Sequence, residues 1–156
     1  MFLDFGTTPD DINIIAQASR FVHGIDYETG DHLAPAPYTA LGVFAGIKSS
    51  LKKKFGASKV AGRRVLIQGT GQVGRPLARM LRNEGAIVLI SEPNEALARE
   101  LSDEIRCHIL TTEDVSAVPC DVYAPCALGG VLTRQSCLQL RCAIVAGAAN
   151  NHTVRA

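Results

Sequence analysis

This chain of 156 residues lacks tryptophan, a strong net charge and long apolar runs, and these absences exclude several classes of protein. Without an apolar run of about 20 residues, no membrane-spanning helix is expected. A net charge of +1 gives no field that would attract nucleic acid or acidic lipid. Asp4 follows Met1-Phe2-Leu3 at once, which is unlike a signal peptide. We therefore expect a cytoplasmic protein without a nucleic-acid or membrane partner.

The cysteines show no pairing pattern. The chain has five cysteines, which is an odd number. They lie in apolar stretches of sequence, and none belongs to a Cys-x-x-Cys motif. The four histidines are too scattered to suggest a metal cluster. We expect reduced, mostly buried thiols, and neither disulfides nor a metal site. The cysteines are Cys107, Cys120, Cys126, Cys137 and Cys142.

The hydrophobic pattern changes its period near Arg64. Before it, Thr8-Pro9-Asp10-Asp11 predicts the start of a helix that continues past Val22 and closes at Gly24. A second helix is predicted from about Thr39 to Phe55, with one apolar face formed by Leu41, Phe44, Ile47, Leu51 and Phe55. Beyond Arg64, short apolar strands are predicted at Val65–Gln68, Ile87–Ser91, His108–Leu110, Val122–Ala124 and Ala143–Ala146. Helices are predicted between them at about Gln72–Glu84, Asn94–Glu104 and Thr133–Leu138.

Almost wholly apolar strands that alternate with helices indicate a parallel sheet covered on both faces. The predicted fold is therefore α/β, with a Rossmann-like doubly wound sheet preceded by two helices. The family resemblance described below implies that this sheet is truncated. We expect one domain over residues 1–156, in which residues 1–62 form a helical segment leading into the sheet.

The most informative motif is Gln68–Gly74, Gln-Gly-Thr-Gly-Gln-Val-Gly, between a predicted strand and a predicted helix. In a dinucleotide-binding turn, Gly69 allows the tight bend, Gly71 lets the backbone approach the pyrophosphate, and Gly74 lets the helix pack on the strand. The pyrophosphate then lies at the positive end of the helix dipole. The expected contacts include Thr70, Gln72 and Val73.

Glu92 comes at the end of the next predicted strand, eighteen residues after Gly74. At that place a carboxylate would accept hydrogen bonds from the adenosine ribose and repel a 2′-phosphate, which favours NAD over NADP. The alternative is an ordinary strand-end acid facing water, and that alternative leaves the spacing to chance.

Further segments resemble the cofactor-binding part of the glutamate/leucine/phenylalanine/valine dehydrogenases, most of all the leucine, valine and phenylalanine branch. Together the matching segments extend over nearly all of the chain. They are Asp4–Thr8, Pro35–Val43, Gln68–Gly74, Cys120–Gly130 and Ala146–Asn151.

The resemblance implies the NAD-dependent oxidative deamination of an L-amino acid to a 2-oxo acid and ammonia. Two lysines and one aspartate supply the acid–base groups in that family. Asp4 occupies the position similar to the aspartate. The lysines belong to an upstream substrate domain that we expect to be absent from this chain, so the isolated chain is expected to be inactive. The whole protein is expected to form a homo-oligomer.

The resemblance also assigns roles to residues for which simpler interpretations exist. Thr39 either caps its helix or contacts the nicotinamide carboxamide, or does both. Ala127 and Leu128 form either an ordinary turn after a buried strand or backbone contacts with the cofactor. Asn150 and Asn151 are either turn formers or amides that orient the nicotinamide and the substrate carboxylate.

Three functions remain open at this point. The first is the cofactor-binding part of an amino-acid dehydrogenase of the leucine/valine/phenylalanine type. The second is a non-catalytic NAD(H)-binding module. The third is another Rossmann dehydrogenase, such as a shikimate-type enzyme, which leaves the segments Cys126–Gly130 and Ala149–Asn151 unexplained.

Overall fold

The computed structural model describes residues 8–19, 21, 22, 24 and 35–150. The chain forms two compact units, Met1–Tyr38 and Thr39–Ala156. Asp4 and Asn151, two of the predicted site residues, lie outside the described residues.

In the first unit, helix α1 spans Pro9–Ala18 and begins as predicted. The Thr8 hydroxyl accepts a hydrogen bond from the Asp11 backbone, and the Asp11 carboxylate accepts one from the Thr8 backbone at 2.8 Å. Hydrogen bonds to the Asp11 carboxylate from the Thr8 hydroxyl, at 2.7 Å, and from the Thr8 backbone N–H hold the pKa of Asp11 below its usual value. The predicted extension past Val22 is wrong, because Ser19 is extended and its hydroxyl accepts a hydrogen bond from the Phe21 N–H at 3.3 Å. Such a local bond competes with helix continuation.

Helix α2 spans Ala36–Phe55 and begins three residues before the predicted start. Pro37 lies in its first turn, where a backbone N–H has no helical partner and a proline is tolerated. Thr39 therefore lies inside the helix, and its predicted role as the helix cap is wrong. Its side chain is exposed.

The buried face of α2 is also narrower than predicted. Ile47 and Leu51 are fully buried, as expected, and Phe44 packs at the margin of the core. Leu41 and Phe55 are exposed instead, and the Arg63 guanidinium lies 4.1 Å from the centre of the Phe55 ring.

The second unit contains a five-stranded parallel sheet in the order β3-β2-β1-β4-β5, which confirms the predicted doubly wound α/β fold. All predicted strand and helix boundaries after Arg64 are confirmed to within two residues. The strands are β1 Arg64–Gln68, β2 Ile87–Ser91, β3 His108–Ile109, β4 Cys120–Pro125 and β5 Cys142–Val145. The helices are α3 Gly74–Asn83, α4 Glu95–Ile105 and α5 Arg134–Gln139, with an unpredicted 3₁₀ helix at Thr112–Ala117.

The strands are nearly all apolar because successive side chains enter two different cores. Val65 and Ile67 pack into a larger core with residues from helices α2, α3 and α4. Leu66, between them, packs on the opposite face with Tyr123 and with Val115 of the 3₁₀ helix. Because both faces are covered, a polar residue at any of these strand positions would be buried.

Ion pairs join the outer sides of α3 and α4. Arg75 contacts Glu100 at 2.7 Å, and Arg79 contacts both carboxylate oxygens of Glu104 at 2.5 and 2.8 Å. Arg82, one turn further along, donates to the carbonyl oxygen of Ile105 at 2.8 Å. Three arginines on one face of α3 thus set the position of α4. Within the described part of the chain, no helix is long and apolar enough to cross a membrane.

The core packing predicts that Leu101→Ala destabilises the fold strongly, because Leu101 is fully buried between α4 and the sheet. We expect the free energy of unfolding to fall by about 2–5 kcal/mol in urea titrations. Leu97→Ala, on the exposed side of the same helix, is the matched control and should cost less than about 1 kcal/mol. Equal losses in the two variants would contradict this packing.

Candidate functional site

The carboxyl ends of β1 and β4 meet where the strand order reverses, which is where open parallel sheets bind ligands. The loops that follow these strands continue the hydrogen bonding of the sheet. The Gly69 N–H donates to the Ser91 carbonyl oxygen at 2.8 Å, and the Cys126 N–H donates to the Gln68 carbonyl oxygen at 2.8 Å. The glycine-rich loop is therefore fixed between the end of β2 and the loop after β4.

Gly69 and Gly74 are required by close contacts within this loop. Gly69 has a positive φ of 89°, and a Cβ there would lie 2.7 Å from the backbone of Ala127. A Cβ at Gly74 would lie 1.9 Å from the carbonyl oxygen of Gly69. Helix α3 thus begins directly against the turn that leaves β1, as the predicted roles of these two glycines require.

The middle of the loop is open. Gly71 is exposed, and a Cβ built there would meet no atom within 4 Å. Gln72 is also exposed, whereas the side chain of Val73 packs against the larger core. The space beside Gly71 matches its predicted role, in which the absence of a side chain lets a ligand approach the backbone.

Glu92 follows β2 and connects the glycine-rich loop to the start of α4. Its Oε2 accepts hydrogen bonds from the backbone N–H of Thr70 at 2.8 Å and from the Thr70 hydroxyl at 3.0 Å. Its Oε1 accepts one from the backbone N–H of Asn94 at 3.1 Å. The Asn94 side chain in turn caps α4 by accepting from the backbone of its first turn. The carboxylate is therefore held in place on both sides.

The loop after β4 lies beside the glycine-rich loop. Ala127 is half-buried against Gly69, and Leu128 is exposed. Burial raises the pKa of the neighbouring Cys126 thiol, so this thiol is protonated at neutral pH. A protonated, partly buried thiol agrees with the predicted packed cysteine and not with a reactive nucleophile.

The loop after β5 is fastened to the end of β4. The backbone N–H groups of Ala148 and Ala149 both donate to the carbonyl oxygen of Pro125 at 2.9 Å. Gly147 approaches Pro125 so closely that a Cβ would lie 2.2 Å from the same oxygen. Asn150, the next residue, is exposed at this edge of the sheet.

An open cleft of about 520 Å³ lies on the other side of Glu92, between α4 and the ends of β2 and β3. It has the size of a small-molecule site. Its lining residues are Glu92, Pro93, Glu95, Ala98, Arg99, Ile109, Leu110 and Thr111.

The carboxyl edge of the sheet thus carries Gly69–Gly74, Glu92, Ala127, Leu128 and Asn150. The hydrogen bond from the Asn94 N–H to Glu92 was not predicted from the sequence. The position of Asn94 at a predicted helix start, two residues after Glu92, could have indicated it. The hydrogen bond from the Tyr123 hydroxyl to the Gln68 side chain was not predicted either. Burial raises the pKa of Tyr123 to about 12, so the hydroxyl keeps its proton.

All five cysteines are free thiols. Cys107 is buried, three others are partly buried, and Cys137 is the exposed exception to the predicted, mostly buried thiols. Among the described residues, no group of three or more His, Cys, Asp or Glu side chains is arranged to hold a metal ion.

The chain is similar in sequence to amino-acid dehydrogenases. It is 38% identical to leucine dehydrogenase of Geobacillus stearothermophilus over 148 residues, which is 95% of this chain and 40% of the relative. It is 31% identical to phenylalanine dehydrogenase of Thermoactinomyces intermedius over 153 residues, 97% of this chain and 42% of the relative. The chain therefore spans about two fifths of the length of these relatives. No protein-family model matches it.

A solved structure shares the fold. The crystal structure of L-tryptophan dehydrogenase from Nostoc punctiforme superposes with a TM-score of 0.82 at 32% sequence identity. The match covers 99% of this chain and 43% of that protein.

The glycine contacts predict that two substitutions in the same loop differ in their effect on stability. Gly74→Ala places a methyl group against the Gly69 carbonyl oxygen, and we expect the free energy of unfolding to fall by about 1–3 kcal/mol. Gly71→Ala meets open space, and we expect its stability to stay within about 0.5 kcal/mol of the wild type. Denaturant titration of both variants measures the difference. A Gly74→Ala variant as stable as the wild type would contradict the close contact.

The thiol environments predict an order of alkylation by iodoacetamide at pH 8. Cys137 should react first because it is exposed, and Cys126 should react slowly because its raised pKa leaves little thiolate. Cys120, whose pKa burial raises to about 12, should also be slow. Peptide mass spectrometry reads the order, and the urea-unfolded chain provides the control. Rapid modification of Cys126 in the folded protein would identify it as an activated thiol.

Proposed function

Because the chain is homologous to a part of the amino-acid dehydrogenases, we propose that it is the cofactor-binding part of an NAD-dependent L-amino-acid dehydrogenase. The substrate of the whole protein would be an aliphatic or aromatic amino acid, as in the relatives named leucine, tryptophan and phenylalanine dehydrogenases. The reaction would release ammonia and the 2-oxo acid.

One observation carries the cofactor proposal: the Glu92 carboxylate is held beside the glycine-rich loop at the point where the strand order reverses. The open space at Gly71 fits a pyrophosphate on the loop backbone. The cleft next to Glu92 leaves room for a nucleoside. These features fit NAD better than NADP, because the Glu92 carboxylate would repel a 2′-phosphate.

The remaining residues have proposed roles in binding and orientation. Backbone N–H groups of Gly71–Gly74 would hold the pyrophosphate, since those of Gly69 and Thr70 donate to Ser91 and Glu92 and shape the loop. Ala127 and Leu128 would contact the ribose and adenine side. When bound, the nicotinamide would take up the hydride that leaves the α-carbon of the amino acid. Thr39 would contact its carboxamide.

Asn150 would orient both the nicotinamide and the substrate carboxylate, and Asn151 would assist with the substrate. Asp4 would carry a proton between the substrate amine and water. The roles of Asp4 and Asn151 rest on the family resemblance alone, since both lie outside the described residues. We also propose a cytoplasmic location, which free thiols favour, and a homo-oligomeric whole protein.

A non-catalytic NAD(H)-binding module is the second candidate, since the chain matches only about two fifths of its relatives. Both candidates include NAD binding, and an activity assay separates them. The assay measures NADH oxidation in the presence of 2-oxo acids and ammonia, on the full-length gene product and on this chain. Oxidation of NADH by the full-length product would support the dehydrogenase over the non-catalytic module.

Calorimetric titration of the chain with NAD and with NADP tests the cofactor proposal. We expect NAD to bind more tightly than NADP. Glu92→Ala should weaken NAD binding by about 1–3 kcal/mol because it removes an acceptor for the ribose hydroxyls. Asp103→Ala removes an exposed carboxylate from α4 and serves as the charge-matched control, with little effect on NAD binding.

Two results would count against this proposal. A folded chain that binds neither nucleotide excludes NAD binding by this chain. A Glu92→Ala variant with unchanged affinity for NAD removes Glu92 from the site.

A further inference from the structure

The glycine-rich loop contains a threonine, Thr70, whose side chain is directed into the protein. Its residue is 2% exposed, and its hydroxyl lies 3.0 Å from Oε2 of Glu92. Its backbone N–H lies 2.8 Å from the same oxygen. Two donors of one residue therefore bind one oxygen of the carboxylate.

These contacts use most of the acceptor capacity of Glu92. A carboxylate offers about four lone-pair sites, two on each oxygen. Thr70 fills both sites on Oε2, and the Asn94 N–H fills one site on Oε1. One acceptor site is left, and it is on Oε1. Glu92 is thus oriented before any ligand arrives.

We propose that Thr70 is a positioning residue that fixes Glu92 so that Oε1 accepts the adenosine 2′-hydroxyl, and that it thereby strengthens the preference for NAD over NADP. This inference rests on the proposed binding of NAD. The hydroxyl of Thr70 contacts Glu92 and acts through it.

The physical reason is preorganisation. A glutamate side chain that is already ordered loses less rotamer freedom when a ligand binds. It also cannot turn away from a 2′-phosphate without giving up two hydrogen bonds to buried donors. Without the Thr70 hydroxyl, Glu92 would bind the ribose less well and avoid the phosphate more easily.

Thr70→Val tests this role, because valine keeps the branched shape and the backbone N–H but removes the hydroxyl. Calorimetric titrations of the full 156-residue chain would use NAD, 2′-deoxy-NAD and NADP. We expect the Kd for NAD to rise about three- to tenfold. The Kd for 2′-deoxy-NAD should change by less than about twofold, since this ligand lacks the hydroxyl that Oε1 accepts.

The NAD/NADP affinity ratio should fall in the same variant, and Thr70→Ser, which restores a hydroxyl, should recover most of both effects. Melting temperatures confirm that each variant is folded. Thr70→Ala provides the same comparison if the valine variant does not fold.

The outcomes separate this inference from the proposed function. If the wild type binds NAD but the T70V substitution weakens the binding of NAD and of 2′-deoxy-NAD equally, Thr70 only shapes the loop and the inference is wrong. An unchanged Kd for NAD in that variant also overturns it, and NAD binding by the chain stands in both cases. If the folded wild type does not bind NAD, the proposed cofactor binding fails and this inference fails with it.

Discussion

The arrangement of the carboxyl edge depends on the absence of side chains at Gly69 and Gly74. The carbonyl oxygen of Gly69 occupies the place that a Cβ of Gly74 would need, and Ala127 occupies the place beside Gly69. As a result, the chain leaves β1, turns and enters α3 within five residues, Gly69–Val73. Thr70 is then carried inward toward Glu92, while Gly71 remains at the surface. Two steric contacts thus determine which part of the loop is available to a ligand and which part supports it.

The position of Glu92 also depends on packing far from the loop. Its Oε1 accepts a hydrogen bond from the backbone N–H of Asn94, the residue that caps α4. Helix α4 is held in turn by its buried Leu101 and by the arginines of α3. These ion pairs are exposed, and each contributes little to global stability. Their geometric effect is to join the middle and the carboxyl end of α4 to α3.

The sequence predicted the sheet well, because most of its strands are short apolar runs that alternate with helices. It also identified Gly69, Gly74 and Glu92 from their spacing. Helix ends were less predictable where local hydrogen bonds decide them, as at Ser19, or where a proline is tolerated in a first turn, as at Pro37. Thr70 could be placed in the loop from the sequence. The inward direction of its side chain could not be predicted, because that direction depends on the close contacts at Gly69 and Gly74.

The bonds between Thr70 and Glu92 also constrain how such a site can evolve. A single replacement of Glu92 by a neutral or basic residue would remove the proposed repulsion of a 2′-phosphate. It would also leave the backbone N–H and the hydroxyl of the buried Thr70 without their acceptor. A protein changed only at position 92 would therefore be less stable than the original protein and less stable than a protein changed at both positions 70 and 92. A lineage that changes its nucleotide preference would be expected to alter position 70 before or together with position 92, so that the two positions vary as a pair among descendants.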